Sequence, residues 1–138
     1  MKRVVITGMG IYSCIGKNLQ DVKTSLYNGA SGIVIDKERI SFGYRSPLTG
    51  MVEVPDLKKN LSRRQRLSLG DEGAFAYMAT IEALENAKIT QNFLDANEVG
   101  ILYGNDSTSK AVISSVDKIK EIKDTTLVGS GAIFQAMN

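Results

Sequence analysis

The side chains that ordinarily carry covalent or acid–base chemistry are scarce in this sequence: its 138 residues include no histidine and one cysteine, Cys14. That removes a Ser/His/Asp triad, a Cys/His dyad, an internal disulfide and most zinc sites. A thiol becomes a nucleophile beside a base or positive neighbours. Cys14 has no histidine to serve it, so it reads as a small buried residue. The sequence therefore assigns no catalytic residue and no metal ligand. Three other patterns could still recognise a ligand. Gly8-Met9-Gly10 invites a dinucleotide reading, but Ser13 stands where G-x-G-x-x-G needs its last glycine, and the next helix starts only near Asn18. Asp36, in an irregular stretch, is a poor ribose partner, and the glycines read instead as a tight connection with backbone angles other residues resist. Arg63, Arg64 and Arg66 form a basic cluster, either a solvated face or a docking patch for an acidic, phosphate-bearing partner. The polar loop from Gly104 to Ser109 lies where open α/β sheets place ligands, and serves equally well as turn and cap.

The elements that must position these residues follow from periodicity. Val4–Thr7 and Val99–Tyr103 are β-branched or apolar runs, each closed by glycine, and read as buried strands of a parallel sheet. Asn18 caps a helix bearing Leu19, Val22 and Leu26, ended by Gly29. Residues 30–60 form an excursion with one ribbon near Gly50–Val54. Ser62 opens the next stretch, and from Asp71 onward Ala74, Phe75, Met78, Ala79, Ile81, Ala83, Leu84 and Ala87 mark a well-buried central helix. A further helix turns Val112, Ile113, Val116 and Ile119 inward, with Lys118, Lys120, Glu121 and Lys123 outward. After Gly129-Ser130-Gly131 another helix begins without a stop signal. The expected fold is α/β and one domain, incomplete by itself: a parallel sheet needs more strands and both faces covered, so the remainder is expected beyond Asn138 or in a partner.

Composition agrees with a soluble domain, at 43% apolar and 23% charged. Seventeen basic against fifteen acidic side chains leave a net +2, too little for a dedicated nucleic-acid binder. No run is long enough to span a membrane. Lys2 and Arg3 precede an uncharged run to Gly16, but its glycines and the missing cleavage site before Asp21 argue against a secretion signal. A lone thiol suits a reducing cytoplasm.

Taken together the motifs are specific. Arg3-Val4-Val5-Ile6-Thr7-Gly8-Met9-Gly10 with Cys14-Ile15-Gly16 resembles the R-V-V-I-T-G-x-G-x-x-S-x-x-G opening of the β-ketoacyl-acyl-carrier-protein synthases. Leu26-Tyr27-Asn28-Gly29-Ala30-Ser31-Gly32-Ile33 is similar to their L-x-x-G-x-S-G-I, and Ser62-Arg63-Arg64 to S/D-R-K. Ala83-Leu84-Glu85-Asn86-Ala87 resembles A-L-x-D-A-G, and Val99-Gly100-Ile101 resembles V-G-x-I-x-G.

The resemblance implies a thiolase-like α/β fold, with residues 1–138 as the N-terminal part of a ketosynthase N-terminal domain and no second domain. It implies an acyltransferase of fatty-acid or polyketide elongation that condenses an acyl group with malonyl-carrier protein. It implies acyl-carrier protein as partner, the substrate riding on that protein's phosphopantetheine with no cofactor bound by the chain, and a second copy or a full-length synthase as dimer partner. The family's nucleophilic cysteine follows Met137 and its two histidines lie in the second half, so the 138 residues alone are expected to be inactive. Cys14 aligns with a position that is usually serine. Arg63 and Arg64 match a basic pair that helps dock the carrier in related bacterial synthases, whereas Arg66 matches no family position. Ser107 falls at the acyl-pocket gate, where Asn105-Asp106-Ser107-Thr108 departs from the family's glycine-rich loop, and Phe134 and Met137 fall on the acyl-pocket segment near the dimer interface. The alternatives are a non-catalytic ketosynthase-like binding or assembly subunit, and a small nucleotide-binding module.

Overall fold

A computed structural model describes residues 3–105, 109–126 and 128–136. Its elements in chain order are α1 (Leu19–Tyr27), β1 (Ile33–Ile35), α2 (Lys37–Ser41), β2 (Leu48–Gly50), α3 (Arg63–Ser68), α4 (Asp71–Asn86), α5 (Gln91–Ala96), α6 (Ser109–Ile122) and α7 (Ser130–Ala136). The chain divides into two compact units, Met1–Glu53 with Met78–Glu98, and Val54–Tyr77 with Val99–Asn138, so the division falls inside α4.

In the first unit α1 starts where Asn18 accepts the amide of Asp21 at 2.8 Å, and it ends before Gly29, whose φ of +61° few other residues adopt. Val22 is buried. The ribbon is β1 against β2, antiparallel with Val34 opposite Thr49, so it lies slightly before the expected Gly50–Val54 and takes its partner from residues 33–35. Asp36 caps α2 through the amides of Glu38 and Arg39, which gives it a local structural role in place of a ribose contact.

The loop after Gly8 is held by the second half of α4. Met9 N–H donates to Asn86 Oδ1 at 3.1 Å, Ile11 N–H to Glu82 Oε2 at 2.9 Å, and Leu19 N–H to Glu82 Oε1 at 2.7 Å. One carboxylate thus serves the loop and an orphan donor in the first turn of α1. Glu82→Ala should cost about 2 kcal/mol by unpairing two partly buried amides. Faster hydrogen exchange at Ile11 and Leu19 is the expected reading, and unchanged protection at both would refute it.

Glycine is required here for proximity rather than for backbone angle. A β-carbon on Gly10 would stand 1.9 Å from the Ala79 carbonyl oxygen, and one on Gly8 would stand 2.4 Å from that of Ala83. Neither residue has positive φ. Helix α4 therefore fills the space over these glycines, which corrects the angle-based reading.

Helix α4 ends in two crossed hydrogen bonds, Ile89 N–H to the Leu84 carbonyl at 2.9 Å and Lys88 N–H to that of Glu85 at 3.0 Å, with Lys88 at φ +57°. This is the left-handed cap at which helices usually carry glycine, and the A-L-x-D-A-G motif has glycine at this place. Lys88→Gly should stabilise the protein by about 1 kcal/mol. A melting temperature no higher than that of the parent would count against this.

In the second unit Leu57 and Ala74 are buried; Ala74 is the one buried residue of α4, whose other residues are half-buried or exposed, so the helix is not well buried as expected. Tyr103 Oη donates to the Glu72 carbonyl at 3.2 Å, and Lys110 pairs with Asp71. Asp56 sits below the ordinary carboxylate range because it accepts the Lys58 amide at 3.0 Å.

Two expectations are corrected. Val4–Thr7 and Val99–Tyr103 are not buried strands: Val4 is 96% exposed, Ile6 86% and Leu102 fully exposed. A strand exists through its ladder neighbours, and among the described residues the one named sheet is the β1–β2 ribbon. On α6, Val112, Ile113 and Val116 are exposed and Ile119 is half-buried, so the stripe is amphipathic as read while most of it faces open space. Among the described residues no helix is long and apolar enough to cross a membrane.

Candidate functional site

The basic cluster is built from a local start signal. Ser62 Oγ accepts the Gln65 amide at 3.3 Å, while Gln65 Oε1 accepts the Ser62 amide at 2.9 Å, a reciprocal cap that opens α3 directly at Arg63. Arg63 and Arg64 thus occupy the first two helical positions, where the helix dipole favours acids and disfavours cations by about 0.3–1 kcal/mol each. Both are exposed, and among the described residues no carboxylate pairs with either. Arg66 differs: it is half-buried and its Nε donates to the Leu61 carbonyl at 3.2 Å. The cluster read as one feature therefore separates into an exposed pair and a structural third member.

Helix α7 lies against α3. Gln135 Nε2 donates to the Leu67 carbonyl at 3.0 Å, satisfying an acceptor in the last turn of α3. A β-carbon at Gly131 would meet the same oxygen at 2.7 Å, so the backbones touch where only glycine fits. The resulting groove, about 450 Å³, is lined by Arg63, Arg64, Leu67, Ser68, Ser130, Gly131 and Phe134. Phe134, 53% exposed, adds an aromatic face to the two guanidinium groups. This combination suits an anionic ligand with an apolar portion beside its charge.

The structure thus brings Arg63, Arg64 and Phe134 together, although the sequence reading assigned them separate roles. Ser107 and Met137 lie outside the described residues. Cys14 is half-buried rather than fully buried; β-carbons on Gly32 and Gly50 would approach its sulfur to 2.7 and 3.1 Å. Among the described residues no cluster of His, Cys, Asp and Glu could hold a metal ion. Sequence reasoning missed Gln135 and Gly131, for which no local signal exists. It also missed Glu82 and Asn86, whose i, i+4 spacing on a mostly apolar helix was a readable signal.

Residues 1–137 match the family described as "Beta-ketoacyl synthase, N-terminal domain". The chain is 35% identical over 139 residues to the 3-oxoacyl-[acyl-carrier-protein] synthase 1 of Buchnera aphidicola subsp. Baizongia pistaciae, covering 99% of this chain and 34% of that protein. It is 31% identical over 139 residues to the Escherichia coli K12 protein of the same name, with the same coverage. A crystal structure of a beta-ketoacyl synthase from Burkholderia phymatum superposes with a TM-score of 0.76 at 25% identity, covering 98% of this chain and 34% of that one. The chain thus spans about a third of the length of these relatives.

Proposed function

The chain belongs to the β-ketoacyl synthase family, with a thiolase-like α/β fold, and from that premise we propose that it is the N-terminal part of a 3-oxoacyl-[acyl-carrier-protein] synthase whose contribution is to receive the acyl-carrier protein. In the whole enzyme an acyl group passes from the carrier's thioester sulfur to a cysteine sulfur, freeing the carrier thiol. Loss of carbon dioxide from malonyl-carrier protein then leaves a carbanion that attacks the acyl-cysteine carbonyl and expels the thiolate. The present residues take none of those steps themselves, having no histidine and a Cys14 packed against Gly32 and Gly50.

The observation that carries the reading is the pair Arg63 and Arg64, with no carboxylate partner among the described residues, beside Phe134 in one groove. A carrier protein presents acidic side chains and a phosphate-linked arm, and charge-assisted hydrogen bonds from two guanidinium groups suit both. Phe134 and Met137 belong in this reading to the acyl-pocket side, and Ser107 to its gate. A homodimer in the cytoplasm, with phosphopantetheine arriving on the substrate, completes it.

The alternative is a non-catalytic subunit that docks the carrier through the same arginines. Reading the coding DNA past the codon for Asn138 separates the two. A frame continuing into a turn with a cysteine, and later histidines, supports the synthase; an immediate stop codon overturns it in favour of the docking subunit.

A further inference from the structure

We propose that Gln135 and Gly131 are positioning residues that lock the docking arginines and Phe134 into one recognition unit, an inference that rests on the carrier-docking reading above. The argument is geometric. Helix α3 carries Arg63 and Arg64 at its start and Leu67 near its end, so a contact at the Leu67 carbonyl fixes the helix that presents both cations. α7 meets that carbonyl through one hydrogen bond, from Gln135 Nε2 at 3.0 Å, and its backbone passes so close at Gly131 that an added β-carbon would stand 2.7 Å from the same oxygen. Phe134 is the residue before Gln135 and lines the same groove as the arginines. A six-residue and a seven-residue helix have little rigidity of their own, so this contact sets the spacing between two charges and one ring. An acidic partner segment must match that spacing, and movement of either helix displaces the other.

The chain contains no tryptophan, so Phe134→Trp provides a single indole reporter inside the groove. In that background Gln135→Glu keeps the side-chain shape but replaces the donor with a carboxylate facing a carbonyl, and Gly131→Ala forces the backbones apart. Gln135→Lys restores a donor of the charge that a helix C-terminus favours. Gln135→Glu and Gly131→Ala should each shift the indole emission of the free protein and weaken binding of holo-acyl-carrier protein by about three- to tenfold. Gln135→Lys should leave both near the parent.

Circular dichroism identifies variants that lose helix. If Gln135→Glu does, Gln135→Ala removes the donor without adding charge and takes its place. Unchanged emission, or shifted emission with unchanged affinity, overturns the positioning role even where Arg63→Glu with Arg64→Glu weakens binding. Conversely, if that charge reversal leaves affinity intact, the docking reading fails, and the emission of the Gln135 and Gly131 variants still decides whether α7 sets the place of the ring at position 134.

Discussion

Gly10→Ala should unfold much of the first unit, with a loss on the order of 3 kcal/mol or more, while Gly100→Ala stays within about 0.5 kcal/mol of the parent. The contrast rests on what each added methyl group would meet. At Gly10 it would fall 1.9 Å from the Ala79 carbonyl oxygen and 2.7 Å from the Ala83 amide nitrogen, both backbone atoms of α4 that no rotamer change can move. At Gly100 nothing lies within 4 Å. The strain at position 10 would be relieved by lifting the loop off α4, and the bonds from Met9, Ile11 and Leu19 to Asn86 and Glu82 would go with it. Denaturant titration of the three proteins, followed by circular dichroism, measures the difference. Equal midpoints for Gly10→Ala and the parent would mean that the loop does not rest on the helix as described.

If the proposed docking face is right, Arg63→Glu with Arg64→Glu should weaken holo-acyl-carrier protein binding on the order of 100-fold at low ionic strength, and the loss should shrink as salt is added. Two attractions become two repulsions in a groove where no carboxylate of the described residues already neutralises the arginines. The fold should tolerate the change, because both residues are exposed and acids suit the first turn of a helix. Calorimetry at two salt concentrations is the measurement. Affinity equal to the parent's at low salt would dispose of the docking face, whereas a loss insensitive to salt would point to a misfolded variant.

Much of the helical structure was legible in the sequence, because helix boundaries are local events. Asn18 and Gly29 bracket α1, and the apolar spacing from Ala74 to Leu84 marks α4, whereas α3 was not read as a helix although Ser62 and Gln65 carry its capping signal. Strand burial is a different matter: the composition of Val4–Thr7 shows what the run prefers to become, but a ladder is a relation between segments, and one run cannot state whether its neighbour is present. The glycines show the same limit. Gly8 and Gly10 were conspicuous, yet the atoms that require them belong to Ala79, Ala83 and Ala87. In the candidate site the arginine pair could be read locally, and the resemblance singled out Phe134. That α3 and α7 meet at one carbonyl, 68 residues apart in the chain, is a tertiary fact with no local signature.

The hold of α4 on the glycine loop also sets a timetable for the nascent chain. Met9 waits for Asn86, 77 residues later, before its amide finds its partner. At a synthesis rate of about 5–20 residues per second that interval is roughly 4–15 s. Throughout it the Val4–Ile6 run has no α4 to anchor the loop that follows it. Seconds are long compared with the microseconds in which apolar segments collapse. The yield of this protein in a cell should therefore respond to translation speed across residues 10–86.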